Sequence, residues 1–199
     1  MSLIKLPKTE PSPGQPLEQL LAGRRCVREY EDRPVTLVNM ACLLRAAQGI
    51  TDPQGLRSAP SAGALYPLEI YLAAGAVTGL APGIYRYLPG EDALESVTKG
   101  DHRAALAAAV LGQSWLADAA LTFIIAACYE RTTCKYGRRG IQYVHMEVGH
   151  AAQNILLMAV ALNLGAALVG AFDDDSVASV TGLAGAETPL YLVPVGHPA

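Results

Sequence analysis

The sequence predicts an α+β domain with a central mixed or antiparallel sheet flanked by helices. Three observations carry this. Short continuous apolar runs of strand length recur at "EIYLAA" (69–74), "ALTFIIAAC" (120–128), "GAALVGAF" (165–172) and "PLYLVPVG" (189–196). Residues 36–48 and 142–162 instead place apolar side chains at helical spacing. Between them, "PGIYRYLPGEDALESVTKG" (82–100) reads as two short strands around a Pro-Gly turn. No internal repeat is present.

Residues 1–15 contain Pro7, Pro11 and Pro13 and are expected to form an extended arm, with residues 16–199 forming the domain. Leu17, Leu20 and Leu21 make one face of a short helix closed by Gly23. Thr36 is the expected N-cap of a helix to about Gln48, with Leu37, Met40, Ala41, Leu44 and Ala47 along one side. Residues 51–67 form a loop rich in Pro, Gly, Ser and Ala. The 69–74 strand and the 82–100 hairpin follow. Asp101 is expected to cap an alanine-rich helix to about Leu111, and 120–128 is the central strand. A loop precedes the longest helix, about 142–162; "GAALVGAF" is expected as an interior strand. "DDDSVASVTGL" carries Val177, Val180 and Leu183 at helical spacing, and the chain closes on a strand.

Composition narrows the function. The 199 residues are 51% hydrophobic and only 17% charged, against about 25% charged in ordinary soluble domains. That excess of apolar surface points to a large subunit interface, hence a homodimer. The net charge of -3 excludes an electrostatic nucleic-acid face. Cys26, Cys42, Cys128 and Cys134 contain no CxxC pair and fit neither a zinc site nor a disulfide framework. The N-terminal stretch lacks the apolar core of a signal peptide, so a cytoplasmic location is expected. Residues 151–172 carry no charge, but Gln153, Asn154 and Asn163 interrupt them; a buried helix, not a membrane span, is expected.

Four stretches hold candidate chemistry. In "GRRCVREYEDRP" (23–34), Arg24 and Arg28 would share a face on a helical turn, with Arg25 to one side. Clustered guanidinium groups hold a phosphate by charge-assisted hydrogen bonds. A solvated helix end with Glu29, Glu31 or Asp32 as partners is the simpler local reading. "SAPSAGALYP" (58–67) is either an ordinary loop or one whose small residues let backbone approach a flat ligand. "CKYGRRGIQY" (134–143) sets Lys135 beside Tyr136 and close to Arg138 and Arg139. Cationic neighbours favour the neutral amine a base requires, although a flexible basic surface loop explains the same residues. On the long helix, Tyr143, Glu147, His150 and Asn154 make a polar stripe, which marks either buried hydrogen-bonded partners or a site wall. His145 and His150 are five apart, unlike zincin histidines, so no metal is expected. Gly149 permits close approach of another helix, as at a subunit interface.

The order of these motifs is more specific than any one of them. "RRCVREY", "AAQGIT", "APSAGALYPLEIY", "PGIYRY", "KYGRRGIQY", "EVGHAAQNILLMAVALNLG", "GAFDDD" and "PLYLVPVG" together resemble the nitroreductase superfamily of flavin enzymes from about Arg24 to Gly196. Within it they resemble the SagB-type dehydrogenases, which include azoline oxidases of thiazole/oxazole-modified peptide pathways. The resemblance implies a nitroreductase-like fold and an FMN-binding homodimer with each flavin at the subunit boundary. It also implies oxidation of a thiazoline- or oxazoline-type heterocycle, in a small-molecule or modified-peptide substrate, by hydride transfer to flavin N5. By position, Arg24, Arg25, Cys26 and Arg28 match the segment that holds the FMN phosphate and ribityl chain. Pro60, Ser61 and Ala62 match the loop against the isoalloxazine, and Gly170 and Ala171 the backbone amides near N5 and O4. Lys135 and Tyr136 match the proton-transferring Lys-Tyr pair. Cys26 departs from the usual serine, and after the final strand only His197 can supply a cationic contact, so modest FMN affinity is expected. An NAD(P)H-dependent nitro or quinone reductase, and a non-catalytic flavin-binding protein or subunit of a modification complex, are the alternatives.

Overall fold

The computed structural model describes residues 3–8 and 14–199. Seven strands form one sheet in the order β1-β6-β5-β3-β7-β9-β8. They are β1 (Leu3–Lys5), β3 (Leu68–Ala74), β5 (Gly83–Leu88), β6 (Ala93–Lys99), β7 (Leu121–Ala127), β8 (Gly165–Ala166) and β9 (Thr188–Gly196). Every pairing in this sheet is antiparallel. Parallel pairing is confined, among named strands, to the two-residue β2 (Val35–Thr36) and β4 (Val77–Thr78).

β7 sits where its composition requires. All seven residues of "LTFIIAA" are buried, with β3 on one side and β9 on the other. Alternation then sorts side chains to the two faces. Ile70, Leu72, Phe123 and Ile125 join the core beneath α2 (Leu37–Gln48) and α5 (Arg139–Ala161). Tyr71, Ala73 and Ile124 join the opposite core beneath α3 (Arg103–Ala109) and α6 (Asp174–Thr181). The result is a sheet between two helical layers.

Helix starts follow local chemistry. Thr36 Oγ1 accepts the Asn39 N–H at 3.1 Å and caps α2. Asp173 Oδ1 likewise accepts the Ser176 N–H at 2.8 Å, and Gly182 ends α6 in the left-handed region. Asp101, the expected cap, accepts the Arg103 N–H at 3.0 Å from one position further out; His102 is the N-cap residue of α3 and makes no side-chain cap. α1 (Leu17–Gly23) closes on Gly23 but buries none of its residues; Leu17 and Leu21 face outward.

Three segments differ from the sequence reading. Of the expected arm, residues 1–2 and 9–13 lie outside the described residues, while Leu3–Lys5 is an edge strand paired with β6. "GAALVGAF" is not interior: its only named strand is β8, at the end of the sheet. It follows β9 as far as a Val169–Leu192 bridge, but Pro194 has no N–H to return the bond it accepts from Ala167. The expected loop before the long helix is itself helical. α4 (Glu130–Tyr136) fills it and α5 begins at Arg139. Glu130 suits the positive end of α4 and Lys135 its negative end. Gly137, at φ 56° and ψ −146°, makes the break between the two helices.

Candidate functional site

Chain geometry divides the sequence-predicted residues into two groups. The first lies where the chain leaves α1. Residues 24–28 are not helical, so Arg24 and Arg28 do not share a helical face as a turn would give them. Cys26 instead bridges Ala166 in parallel, and the Val27 N–H donates to the Ala166 carbonyl at 3.0 Å. This approach needs Gly165, because a Cβ there would stand 2.6 Å from Val27 Cγ1. Arg25 turns back and donates to the carbonyls of Ala22 (2.9 Å) and Arg24 (2.8 Å), closing the negative end of α1. Arg24 Nη1 lies 4.0 Å from Cys26 Sγ, and the Arg28 guanidinium lies 5.8 Å from the Trp115 ring centre. None of the three arginines has a carboxylate partner among the described residues, so Glu29, Glu31 and Asp32 do not neutralise them. A cavity of about 310 Å³ opens beside Arg25, Val27, Gly165 and Ala166.

Gly170 and Ala171 lie on the exposed continuation of the β8 segment. The Ala171 carbonyl accepts from Leu111 N–H and Gln113 Nε2, both at 3.3 Å. Neither the Gly170 nor the Ala171 N–H has a protein acceptor among the described residues, so both remain available as donors. The fixed positive charge and these open amides are what an anionic, acceptor-rich cofactor such as FMN requires, so the residues present fit that group.

The second group forms around the loop before β3. Ser61 Oγ accepts the Tyr66 N–H at 2.9 Å and holds the loop folded. Gly63, Ala64 and Tyr66 all take positive φ, of 65°, 54° and 45°. At Gly63 the backbone is met by both candidate proton carriers. A Cβ there would lie 2.8 Å from Tyr136 Oη and 2.9 Å from Lys135 Nζ. Lys135 Nζ also stands 5.3 Å from the Tyr136 ring centre. Tyr136 packs edge-on against Tyr143 at 5.1 Å, and the Arg139 guanidinium covers Tyr143 at 5.6 Å. These residues end α4 and open α5 rather than lying in a mobile basic loop.

The polar stripe on α5 has divided duties. Tyr143, Glu147 and His150 wall a cavity of about 290 Å³ with Pro60, Ser61, Ala62 and Met146. Asn154 instead ties α5 to α2 by donating to the Ala46 carbonyl at 3.0 Å. Glu147 is only 2% exposed, and its Oε1 has no partner. Burial pushes its pKa up to about 7, against the opposing effects of the nearby Ser61 hydroxyl and the Arg57 charge. His145 meets the Tyr129 hydroxyl, and no cluster of metal-ligating residues exists among the described residues.

Among the described residues, no hydrogen bond, ion pair or ring contact joins the arginine group to the Lys135 group. Sequence reasoning missed Trp115 and Gln113, which support Arg28 and Ala171 from a distant 3-10 turn, and Gln48 and Arg57 beside the loop. No local periodicity distinguishes any of them.

The seven-stranded antiparallel sheet between helical layers is the nitroreductase-like α+β fold. The nitroreductase family model matches residues 21–197, and the chain belongs to that family, whose members are generally FMN-dependent oxidoreductases. It is 47% identical over 181 residues to a nitroreductase-type protein of Methanocaldococcus jannaschii, covering 91% of this chain and 90% of that one. The microcin B17-processing protein McbC of Escherichia coli is 29% identical over 147 residues, covering 71% of this chain; the chain spans about half of McbC, 54%. Among solved structures, a nitroreductase-type protein of Ralstonia eutropha aligns at TM-score 0.87 and 27% identity, over 99% of this chain and 90% of that one. The E. coli microcin synthetase McbBCD complex with truncated pro-MccB17 bound aligns at TM-score 0.77 and 27% identity, over 86% of this chain and 67% of that one. A nitroreductase-type structure from Anabaena variabilis aligns at TM-score 0.82 and 31% identity over 92% of this chain, which spans 38% of it. No helix among the described residues is long and apolar enough to cross a membrane.

Proposed function

We propose that this protein is an FMN-dependent dehydrogenase of the SagB type, oxidising a thiazoline- or oxazoline-type ring in a modified peptide. One observation carries the reading: Lys135 Nζ and Tyr136 Oη converge on the Gly63 backbone, beside the Pro60–Ala62 segment. A general nitro or quinone reductase needs no such paired proton carrier. The likeness to McbC, a microcin-processing protein, supports a peptide substrate and partner proteins.

FMN, when bound, supplies the hydride acceptor. Arg24, Arg25 and Arg28 would hold its phosphate, with the Cys26 backbone fixing the segment against Ala166. The Gly170 and Ala171 amides would donate to the acceptors of its ring system. Pro60, Ser61 and Ala62 would form the opposing wall, contributed by the second subunit of a homodimer. Lys135 Nζ removes the proton from the ring carbon beside the heterocycle nitrogen, while Tyr136 Oη steadies the amine and orients the substrate. The neighbouring carbon loses a hydride, so the ring loses two hydrogens in all and becomes aromatic.

Lys135→Ala is expected to abolish the 2 Da mass loss of an azoline peptide while FMN still binds. Undiminished turnover would remove Lys135 from the mechanism. The 47% identical nitroreductase-type relative favours a second reading, an NAD(P)H-dependent reductase. Rapid bleaching of bound flavin by NADPH, with no effect of Lys135→Ala, is its signature.

A further inference from the structure

We propose that the cavity between the end of α2 and the β5–β6 turn is a carboxylate-binding site, with Arg57 and Gln48 as its anion-holding donors. It stands on its own observations, apart from the flavin reading. The cavity measures about 290 Å³; Gln48, Arg57, Glu69, Arg86 and Glu91, the last paired with Lys5, supply its polar wall, and Leu68 and Ile70 part of its apolar wall.

Gln48 is fully buried. Its Oε1 accepts from Arg57 Nη1 at 2.8 Å, which fixes the amide, because turning it over would oppose two donors. Gln48 Nε2 is then a buried donor without an acceptor. Arg57 Nε is a second one. In a guanidinium, Nε and Nη2 share one edge, the edge that meets a carboxylate side-on. On Arg57 that edge has no partner among the described residues, since Nη1 alone is engaged.

The neighbouring cations are satisfied and Arg57 is not. Glu69 pairs with Arg86 at 2.9 Å and also with Arg131, while Glu187 accepts the Tyr71 hydroxyl at 2.8 Å. Arg57 has no carboxylate within ion-pair reach among the described residues and stacks on Tyr66, 4.4 Å from the ring centre. Burial lowers its pKa, against the opposing charges of Glu69 and Glu147, neither of which forms an ion pair with it among the described residues. A planar monoanion suits the open edge. A phosphate dianion would bring a second charge against Glu69 and Glu91 in the same wall, and the apolar wall suits a hydrocarbon body. Arg57 N–H also donates to Tyr66 Oη at 3.2 Å, so the site lies at the root of the loop that carries Pro60–Ala62.

The test is a titration of the full-length ¹⁵N-labelled protein with propionate, propionamide and inorganic phosphate, with and without added FMN. The Arg57 Nε–H and Gln48 Nε2–H₂ resonances should shift saturably with propionate and stay still with propionamide. Arg57→Met and Gln48→Glu, each checked for folding by circular dichroism, should weaken propionate at least tenfold; the latter sets an internal carboxylate against the guanidinium. The wild-type shifts decide the matter if either variant fails to fold. No saturable shift, an equal response to propionamide, phosphate bound as tightly as propionate, or undiminished binding in both folded variants overturns the assignment. Signals that move only with temperature would mean ordered water fills the cavity, and would overturn it as well.

Discussion

Gly63→Ala isolates the contact on which the proposed chemistry rests. Gly63 sits at φ 65°, in the left-handed region, where a Cβ costs roughly 1–2 kcal/mol. The new methyl would also stand 2.8 Å from Tyr136 Oη and 2.9 Å from Lys135 Nζ, well inside ordinary contact. Both are ends of flexible side chains, so they retreat rather than unfold the loop. A retreat of roughly half an ångström is enough, and since a misplacement of ~1 Å costs about 10²-fold in rate, a loss of about tenfold follows. Gly55→Ala is the matched control: Gly55 has φ 86° with nothing within 4 Å of its Cβ position. Urea denaturation should show a loss of about 1–2 kcal/mol in both variants. Steady-state oxidation of an azoline peptide at saturating FMN should fall only in Gly63→Ala. Equal turnover in the two variants would refute a working contact between Lys135, Tyr136 and the loop.

Four further outcomes are expected. Glu147 has a folded pKa raised from 4.5 to about 7, so its stabilising contribution is full below pH 4.5 and is lost as pH climbs through 7. The stability of Glu147→Gln should therefore gain about 3 kcal/mol on the wild type between pH 4.5 and 7 in denaturation curves, and parallel curves would remove the buried ionisation. Arg24→Ala should weaken FMN by about 1.5–3 kcal/mol in fluorescence titration, while Cys26→Ser tightens it several-fold, because a hydroxyl donates better than a thiol. Gly149→Gln should leave the isolated chain folded yet abolish a sedimenting homodimer and its FMN together.

The interior was legible in the sequence where one residue pattern has one solution. "EIYLAA" and "LTFIIAAC" are too short and too apolar for surface helices, and both lie in the middle of the sheet. "GAALVGAF" has the same look but lies at the edge, and its ladder with β9 is broken at Pro194, whose missing N–H is a property of its partner, not of itself. "ERTTCKY" failed for the opposite reason. Its polarity suggested a loop, but α4 needs only one covered side and packs against α5. The polar stripe from Tyr143 to Asn154 was readable as a wall or a set of buried partners, and the helix uses it as both. Arg57 and Gln48 were invisible because an unpaired cation is defined by what surrounds it. Three arginines in five residues announce themselves; one arginine lacking a carboxylate does not.

The Gly149 prediction carries more than an oligomeric state, because it separates two explanations of the divided site. The outward row of α5 includes Gln142, Met146, Gly149 and His150, and a Cβ at Gly149 would meet nothing within 4 Å. Inside one chain a glutamine there is free of clashes and gains up to about 1 kcal/mol of helix propensity. Any loss must then come from outside the chain. If Pro60–Ala62 completes the partner's arginine corner, a side chain that prevents helix-to-helix contact removes flavin affinity without touching a flavin-binding residue. If each chain holds its cofactor alone, Gly149→Gln gives a monomer that binds FMN as tightly as the wild type. Equilibrium sedimentation with flavin absorbance reads both quantities in one cell, so dissociation with retained FMN would exclude the shared site directly.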